Sequence, residues 1–147
     1  MVTVREPVTT TVNDLMTTGA EHVGPSDSLV VVARVMRDLD VGALPIRDAN
    51  GRLTGMVTDR DIVVRCIAGS GDPASMRASD LARGTPVMIE SDQDAETALR
   101  TMARHQVRRL PVTEGGALVG IIAQADIARA LPPETVGAVL AEVSEPD

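Results

Sequence analysis

The chain has 147 residues, a formal net charge of -7 and no Phe, Tyr or Trp. Without aromatic rings bases cannot be stacked, and the acidic balance is opposite to the footprint that phosphate backbones attract, so nucleic acid is excluded as a general partner. No apolar run reaches the roughly 18 residues of a spanning helix and no leader-like stretch opens the chain, so a soluble cytoplasmic protein with no membrane role is expected.

Apolar residues make up 44% of the chain, enough for one aliphatic core or for two half-size units. Residues 1–11, rich in Thr and Val, read as an arm. Val12-Asn13-Asp14-Leu15-Met16 suggests one helical turn, and Glu21-His22-Val23 a brief strand closed by Gly24-Pro25. Ser26-Asp27-Ser28 supplies cap oxygens for a helix from Leu29 to Asp40, where the apolar spacing outweighs the strand preference of Val30-Val31-Val32. Strands are expected at Ala43 to Ile46 and Leu53 to Val57, joined through Asp48-Ala49-Asn50-Gly51, because Asn-Gly between apolar runs signals a hairpin. A helix from Asp59 to about Ala68 follows, then a linker at Gly69-Ser70-Gly71-Asp72-Pro73.

The same order then recurs. Asp14-Leu15 returns as Asp80-Leu81, Leu44-Pro45 as Leu110-Pro111, and Gly55, Asp61 and Ile62 as Gly120, Asp126 and Ile127. The second hairpin turn, Glu114-Gly115-Gly116, is one residue shorter. Matches at corresponding structural points indicate a tandem repeat of one β-α-β-β-α unit, divided as 12–72 and 73–131. The tail, 132–147, is expected to form a further helix with Pro133 near its first turn, although Gly137 opposes it.

Cys66 is the only cysteine, so no intrachain disulfide can form. It reads as a small apolar helix residue, or alternatively as an exposed thiol able to cross-link a dimer. His22 and His105 lack ligand spacing to it or to a carboxylate cluster, so no metal is expected. No nucleophile triad, phosphate loop or catalytic carboxylate pair can be read, so the chain is not expected to be an enzyme.

The doubled Leu-Pro-Ile or Leu-Pro-Val segment, the hairpin and Gly-x-x-[Thr/Ala]-x-x-Asp-Ile together resemble the cystathionine-β-synthase (CBS) domain, paired as a Bateman module. The resemblance covers Val12 to Leu131. Through Gly42-Ala43-Leu44-Pro45, Thr58-Asp59-Arg60-Asp61-Ile62 and His105-Gln106-Val107-Arg108-Arg109-Leu110-Pro111 it is most similar to small stand-alone actinobacterial CBS pairs of the hypoxic-response type. The resemblance implies an α+β fold of two three-stranded sheets packed face to face. It also implies clefts that take AMP, ADP, ATP or S-adenosylmethionine, a homodimer, and regulation of an effector protein in trans.

The resemblance further implies roles for particular residues. Asp61 and Asp126 fall on the position whose carboxylate accepts both ribose hydroxyls. Thr58 supplies the hydroxyl that precedes it, and Ala123 does not. Thr58 with Asp61 also matches a capping box, which needs no ligand. Arg108 and Arg109, before Pro111, match the phosphate-contacting positions of relatives such as the gamma subunit of AMP-activated protein kinase. Gly42 and Ala43 stand there in the first copy, and Thr85 replaces a residue that is basic in some relatives. Arg60 and the N-H groups opening its helix form a second candidate anion contact. The backbones near Glu21-His22-Val23 and Pro86-Val87-Met88 would line the base, with Ile46, Val57, Val112 and Ile122 as walls. A ligand-free interaction dimer that keeps the fold is the alternative.

Overall fold

The computed structural model of the chain describes residues 9–82 and 84–144; most of the N-terminal arm lies outside them. In chain order the elements are α1 (Val12–Leu15), β1 (Thr17–Thr18), α2 (Leu29–Leu39), β2 (Ala43–Arg47), β3 (Leu53–Thr58) and α3 (Asp59–Asp61), the last running on as a π-helical segment, Ile62–Ile67. They continue with α4 (Ala78–Leu81), β4 (Ile89–Glu90), α5 (Ala95–His105), β5 (Arg109–Glu114), β6 (Ala117–Ala123), α6 (Gln124–Ala130) and α7 (Pro133–Ser144). This is the expected α+β content, and α7 runs through Gly137.

The chain folds as two compact units. The Asp61 unit comprises Gly19–Val87 and Thr113–Val119. The Asp126 unit comprises the described residues of Met1–Thr18, Met88–Val112 and Gly120–Asp147.

In the Asp61 unit, α2 starts because Ser28 Oγ accepts from Val31 N at 3.2 Å, and it stops because Asp40 turns left-handed, with φ 55°. Leu29, Val32 and Met36 face a core shared with Leu44, Ile46, Val57, Cys66 and Leu81. That buried stripe holds the β-branched run in helical form. β2 and β3 pair antiparallel, and Val23 bridges to Ile46 in parallel alongside them. At the turn only Gly51 is left-handed, with φ 82°, while Asp48 Oδ1 accepts from Asn50 N at 2.9 Å and Arg52 N at 3.0 Å. The hairpin is therefore tied by the Asp48 carboxylate and not by a mirror-image Asn-Gly turn. The tip of the β5-β6 hairpin completes this unit, with Leu53 N donating to Gly116 O at 3.0 Å.

The helix expected from Asp59 keeps one α turn and then widens, with Ala68 N reaching Val63 O at 2.9 Å. Cys66 is 0% exposed within it, which confirms the packing role and overturns the exposed-thiol reading.

In the Asp126 unit the sheet runs β1-β6-β5-β4. Asp94 caps α5, accepting from Thr97 N at 2.8 Å and Thr97 Oγ1 at 2.7 Å, and Gln106 ends it with φ 55°. Val12, Leu99, Met102, Leu110, Val112, Ile122, Ile127 and Val139 form its core. Helix α7 packs on α5, with Val139 2% exposed and Arg100 Nε on Glu142 Oε2 at 3.0 Å.

The short helices are exchanged between the repeats. α1, at the start of the first copy, is buried at Val12 in the Asp126 unit, where Val12 N donates to Gln93 O at 2.8 Å. α4, at the start of the second copy, buries Ala78 and Leu81 in the Asp61 unit, where Ala78 N donates to Asp27 O at 2.9 Å. The exchange explains the repeated glycine. A Cβ on Gly55 would stand 2.8 Å from Ala82 Cβ, and one on Gly120 would stand 2.7 Å from Thr17 O. In each copy the segment leaving the exchanged helix presses on that strand.

Candidate functional site

In the Asp61 unit, β3 delivers Thr58 in extended geometry to the start of α3. Thr58 Oγ1 accepts from Asp61 N at 3.0 Å, and Asp61 Oδ2 accepts from Thr58 N at 3.2 Å. The capping box is thus formed. Asp61 is half-buried, and its Oδ1 accepts no hydrogen bond among the described residues. A carboxylate oriented by one oxygen with the other open is suited to receive hydroxyl donors.

Beside it, Asp59 N donates to Gly42 O at 2.9 Å. The Asp59 carboxylate lies over Gly42, so close that a Cβ there would stand 3.0 Å from Oδ2. The surface where a phosphate-binding side chain would stand is therefore covered by a negative charge. Arg60 is exposed, makes no ion pair among the described residues, and gives its backbone N to Asp59 Oδ1 at 2.8 Å. Val87 belongs to the same unit and is half-buried.

In the Asp126 unit, β6 delivers Ala123 to the start of α6, and Asp126 Oδ2 accepts from Ala123 N at 3.2 Å. The reciprocal bond is missing because Ala123 has no hydroxyl. The other oxygen, Oδ1, is held by Arg129 Nη2 at 2.6 Å. Asp126 is thus engaged on both oxygens, whereas the residue corresponding to Arg129 in the first copy is Val64. Arg108 and Arg109 are exposed at the start of β5 and make no ion pair among the described residues. Gln124 N donates to Arg108 O at 2.8 Å, the counterpart of the Asp59 to Gly42 bond. Gln124 and Arg108 thus replace Asp59 and Gly42, so the charge at this corner reverses between the copies.

Some expected contacts are not available. Pro111, expected to contact the ligand, is buried within β5. Ile46, Val57, Val112 and Ile122 are between 0% and 1% exposed, so they belong to the two cores and wall no base. The Val23 backbone is spent on Pro45 O and Arg47 N, at 3.0 and 2.9 Å. Two residues that shape the sites went unnoticed in the sequence. Arg129 carried a signal, since Asp126 and Arg129 are neighbours at i, i+3 on a helix. Asp59 over Gly42 carried none, because its position depends on how β2 meets α3.

Shifted carboxylates lie away from these positions. The Thr97 hydroxyl and N-H beside Asp94, and the Ser75 hydroxyl and Ala74 N-H beside Asp72, hold both carboxyls below the usual range. Among the described residues no three His, Cys, Asp or Glu side chains are placed to share a metal ion, and no helix is long and apolar enough to cross a membrane.

Comparison with known proteins matches the CBS domain twice, at residues 12–67 and 78–133. The chain is 42% identical over 127 residues to Hypoxic response protein 1 of Mycobacterium tuberculosis, covering 86% of this chain and 89% of that protein. It is 38% identical over 140 residues to YlbB of Bacillus subtilis, covering 94% of each. Among solved structures it is similar to Hypoxic Response Protein I with two coordinated zinc ions, with TM-score 0.77, 43% identity, and coverage of 84% of this chain and 100% of that one. It is also similar to CBSX2 in complex with AMP, with TM-score 0.71, 28% identity, and coverage of 82% and 95%. Two family matches spanning most of the sequence, joined to a paired α+β fold, make the chain a member of the CBS-domain family, as a tandem CBS pair.

Proposed function

We propose that the chain is a non-catalytic regulatory module that binds adenosine-containing ligands and acts on a partner protein in trans. The observation that carries this reading is Asp61, fixed by Thr58 on one oxygen and open on the other. A ribose offers two adjacent hydroxyls to such a group. The AMP held by the related CBSX2 supports the ligand class.

The two carboxylates differ in what they suit. Asp59 over Gly42 disfavours phosphate near Asp61, so that site suits an adenosyl group without phosphate, with S-adenosylmethionine as the representative. Arg108 and Arg109 suit a phosphorylated ligand such as AMP, provided Arg129 releases Asp126. Engagement of Asp126 by Arg129 also supports the second reading, that this half has kept its fold and serves only interaction.

Isothermal calorimetry and thermal shift with AMP, ADP, ATP, S-adenosylmethionine and NAD(H) test the proposal. Asp61→Asn is the control, because it keeps an acceptor for Thr58 N while losing the charge. Stabilisation by at least one ligand, lost in Asp61→Asn or Asp126→Asn, is expected. No stabilisation by any of them at millimolar concentration sinks the proposal.

A homodimer is part of the same reading. Val31, Leu39, Val63, Val64 and Ile67 are exposed by 39% to 58% on α2 and the π-helical segment. Their counterparts in the second copy are Thr97, His105, Ala128, Arg129 and Pro132. On these helices Arg34, Arg37, Arg60 and Arg65 are balanced by Asp38, Asp40, Asp59 and Asp61, so two copies can meet here without opposing the net charge of -7.

A further inference from the structure

We propose that the recess between α5 and α7 in the Asp126 unit binds a small aliphatic monocarboxylate, its chain against the helices and its head on Arg108. The recess holds about 200 Å³. Its half-buried walls are Ala103 of α5, Val107 after it and Leu140 of α7, over the buried side chains of Leu99 and Met102. The three accessible walls are aliphatic, which fits a short flexible chain and offers a flat base no ring to stack on.

The mouth has the opposite chemistry. Gln106, Arg108 and Gln124 line it, and no carboxylate does. In a chain of net charge -7, a recess whose only charged lining group is a guanidinium without an ion-pair partner among the described residues is selective for an anion. One planar guanidinium matches one carboxylate through two parallel hydrogen bonds, and the two amides can donate to the oxygen edges. At roughly 30 Å³ per water-sized group the space admits a chain of about four to seven carbons.

The first copy lacks the parts of this recess among the described residues. Helix α7 has no counterpart after the first copy, and Gly42 and Asp59 stand where Arg108 and Gln124 line the mouth. It uses neither Asp61 nor Asp126, so it does not depend on the nucleotide reading. Because Arg108 is also the residue proposed to take phosphate, a bound carboxylate and a phosphorylated ligand would compete for it.

Hexanoate titrated into the full chain, followed by the Met102 methyl signal in methionine-labelled protein, tests the proposal. A saturable shift with a Kd of about 1 mM is expected, a reasonable affinity for so small a ligand. Arg108→Gln, and separately hexanol in place of hexanoate, should each weaken binding about tenfold, as expected for loss of a charge-assisted bidentate contact. Leu140→Trp should fill the recess and abolish the shift, and Gln124→Glu, which adds a repelling carboxylate at the mouth without touching the core, should do so if the Trp variant does not fold. A shift that fails to saturate, equal binding by hexanol, undiminished binding in the folded Leu140→Trp or Gln124→Glu protein, or tenfold preference for hexyl phosphate would each overturn it.

Discussion

Thr58 and Asp61 each accept the other's backbone N-H, at 3.0 and 3.2 Å, so the residue that orients the candidate ribose acceptor is also the cap of its helix. Thr58→Ala should therefore cost about 1 kcal/mol of folding stability. It should also weaken any ligand held by Asp61. The converse substitution, Ala123→Thr, completes the missing half of the second box and should add about 0.5 to 1 kcal/mol. Urea denaturation midpoints at constant slope measure both.

Arg129→Ala should leave stability within about 0.5 kcal/mol, since an exposed i, i+3 ion pair contributes little. Its effect should appear in binding, because Asp126 Oδ1 becomes available. Calorimetry with AMP in an Asp61→Asn background isolates the second site, and higher affinity than in the single Asp61→Asn variant is expected. Equal affinity would place the ribose elsewhere.

Gly55→Ala and Gly120→Ala should each destabilise the fold by about 1 to 3 kcal/mol, because the added methyl group meets Ala82 Cβ or the Thr17 carbonyl with no room to relax. Gly137→Ala is the contrasting case. No atom lies within 4 Å of its added Cβ, and removing a helix-interior glycine should stabilise α7 by about 0.5 to 1 kcal/mol. Thermal melts of the three variants should shift in opposite directions.

The lowered pKa of Asp94 fixes the sign of one pH effect. Its folded form binds the proton less readily than the unfolded chain, so the stabilisation is present above the ordinary value of 3.8 and is lost as pH falls through the lowered one. Asp94→Asn should flatten that acid limb, measured by urea titration between pH 5 and pH 2 (about one unit either side of the ordinary carboxylate range), while its loss at neutral pH stays near the cost of a weakened cap.

Val63→Glu or Ile67→Glu should turn a dimer into a monomer at micromolar concentration by light scattering. Burying a carboxylate at an apolar interface costs at least about 2 kcal/mol. Monomeric folding should be unaffected, because these residues are 58% and 56% exposed. A parent chain that is already monomeric would remove the face from consideration.

What could be read from the sequence is what short stretches decide. Ser28 and Asp94 announce their helices by their own oxygens, and the apolar spacing from Leu29 to Met36 carries a β-branched run into a helix. The repeat was legible because Gly55 and Gly120 serve the same close approach. The π-helical widening after Asp61, the capture of Asp126 by Arg129 and the negative charge over Gly42 all sit within motifs that were recognised. They change those motifs through contacts that the motif does not encode.

The exchange of α1 and α4 separates the unit that was duplicated from the unit that folds. A fragment ending at Gly71 would carry Val12 without the Gln93 carbonyl that receives its N-H, and would lack the Ala78 and Leu81 that close its own core. Neither repeat, cut at its sequence boundary, contains the whole of a folded unit. A single copy of the repeat would have to take its missing helix from a second molecule, whereas the tandem chain carries that helix itself.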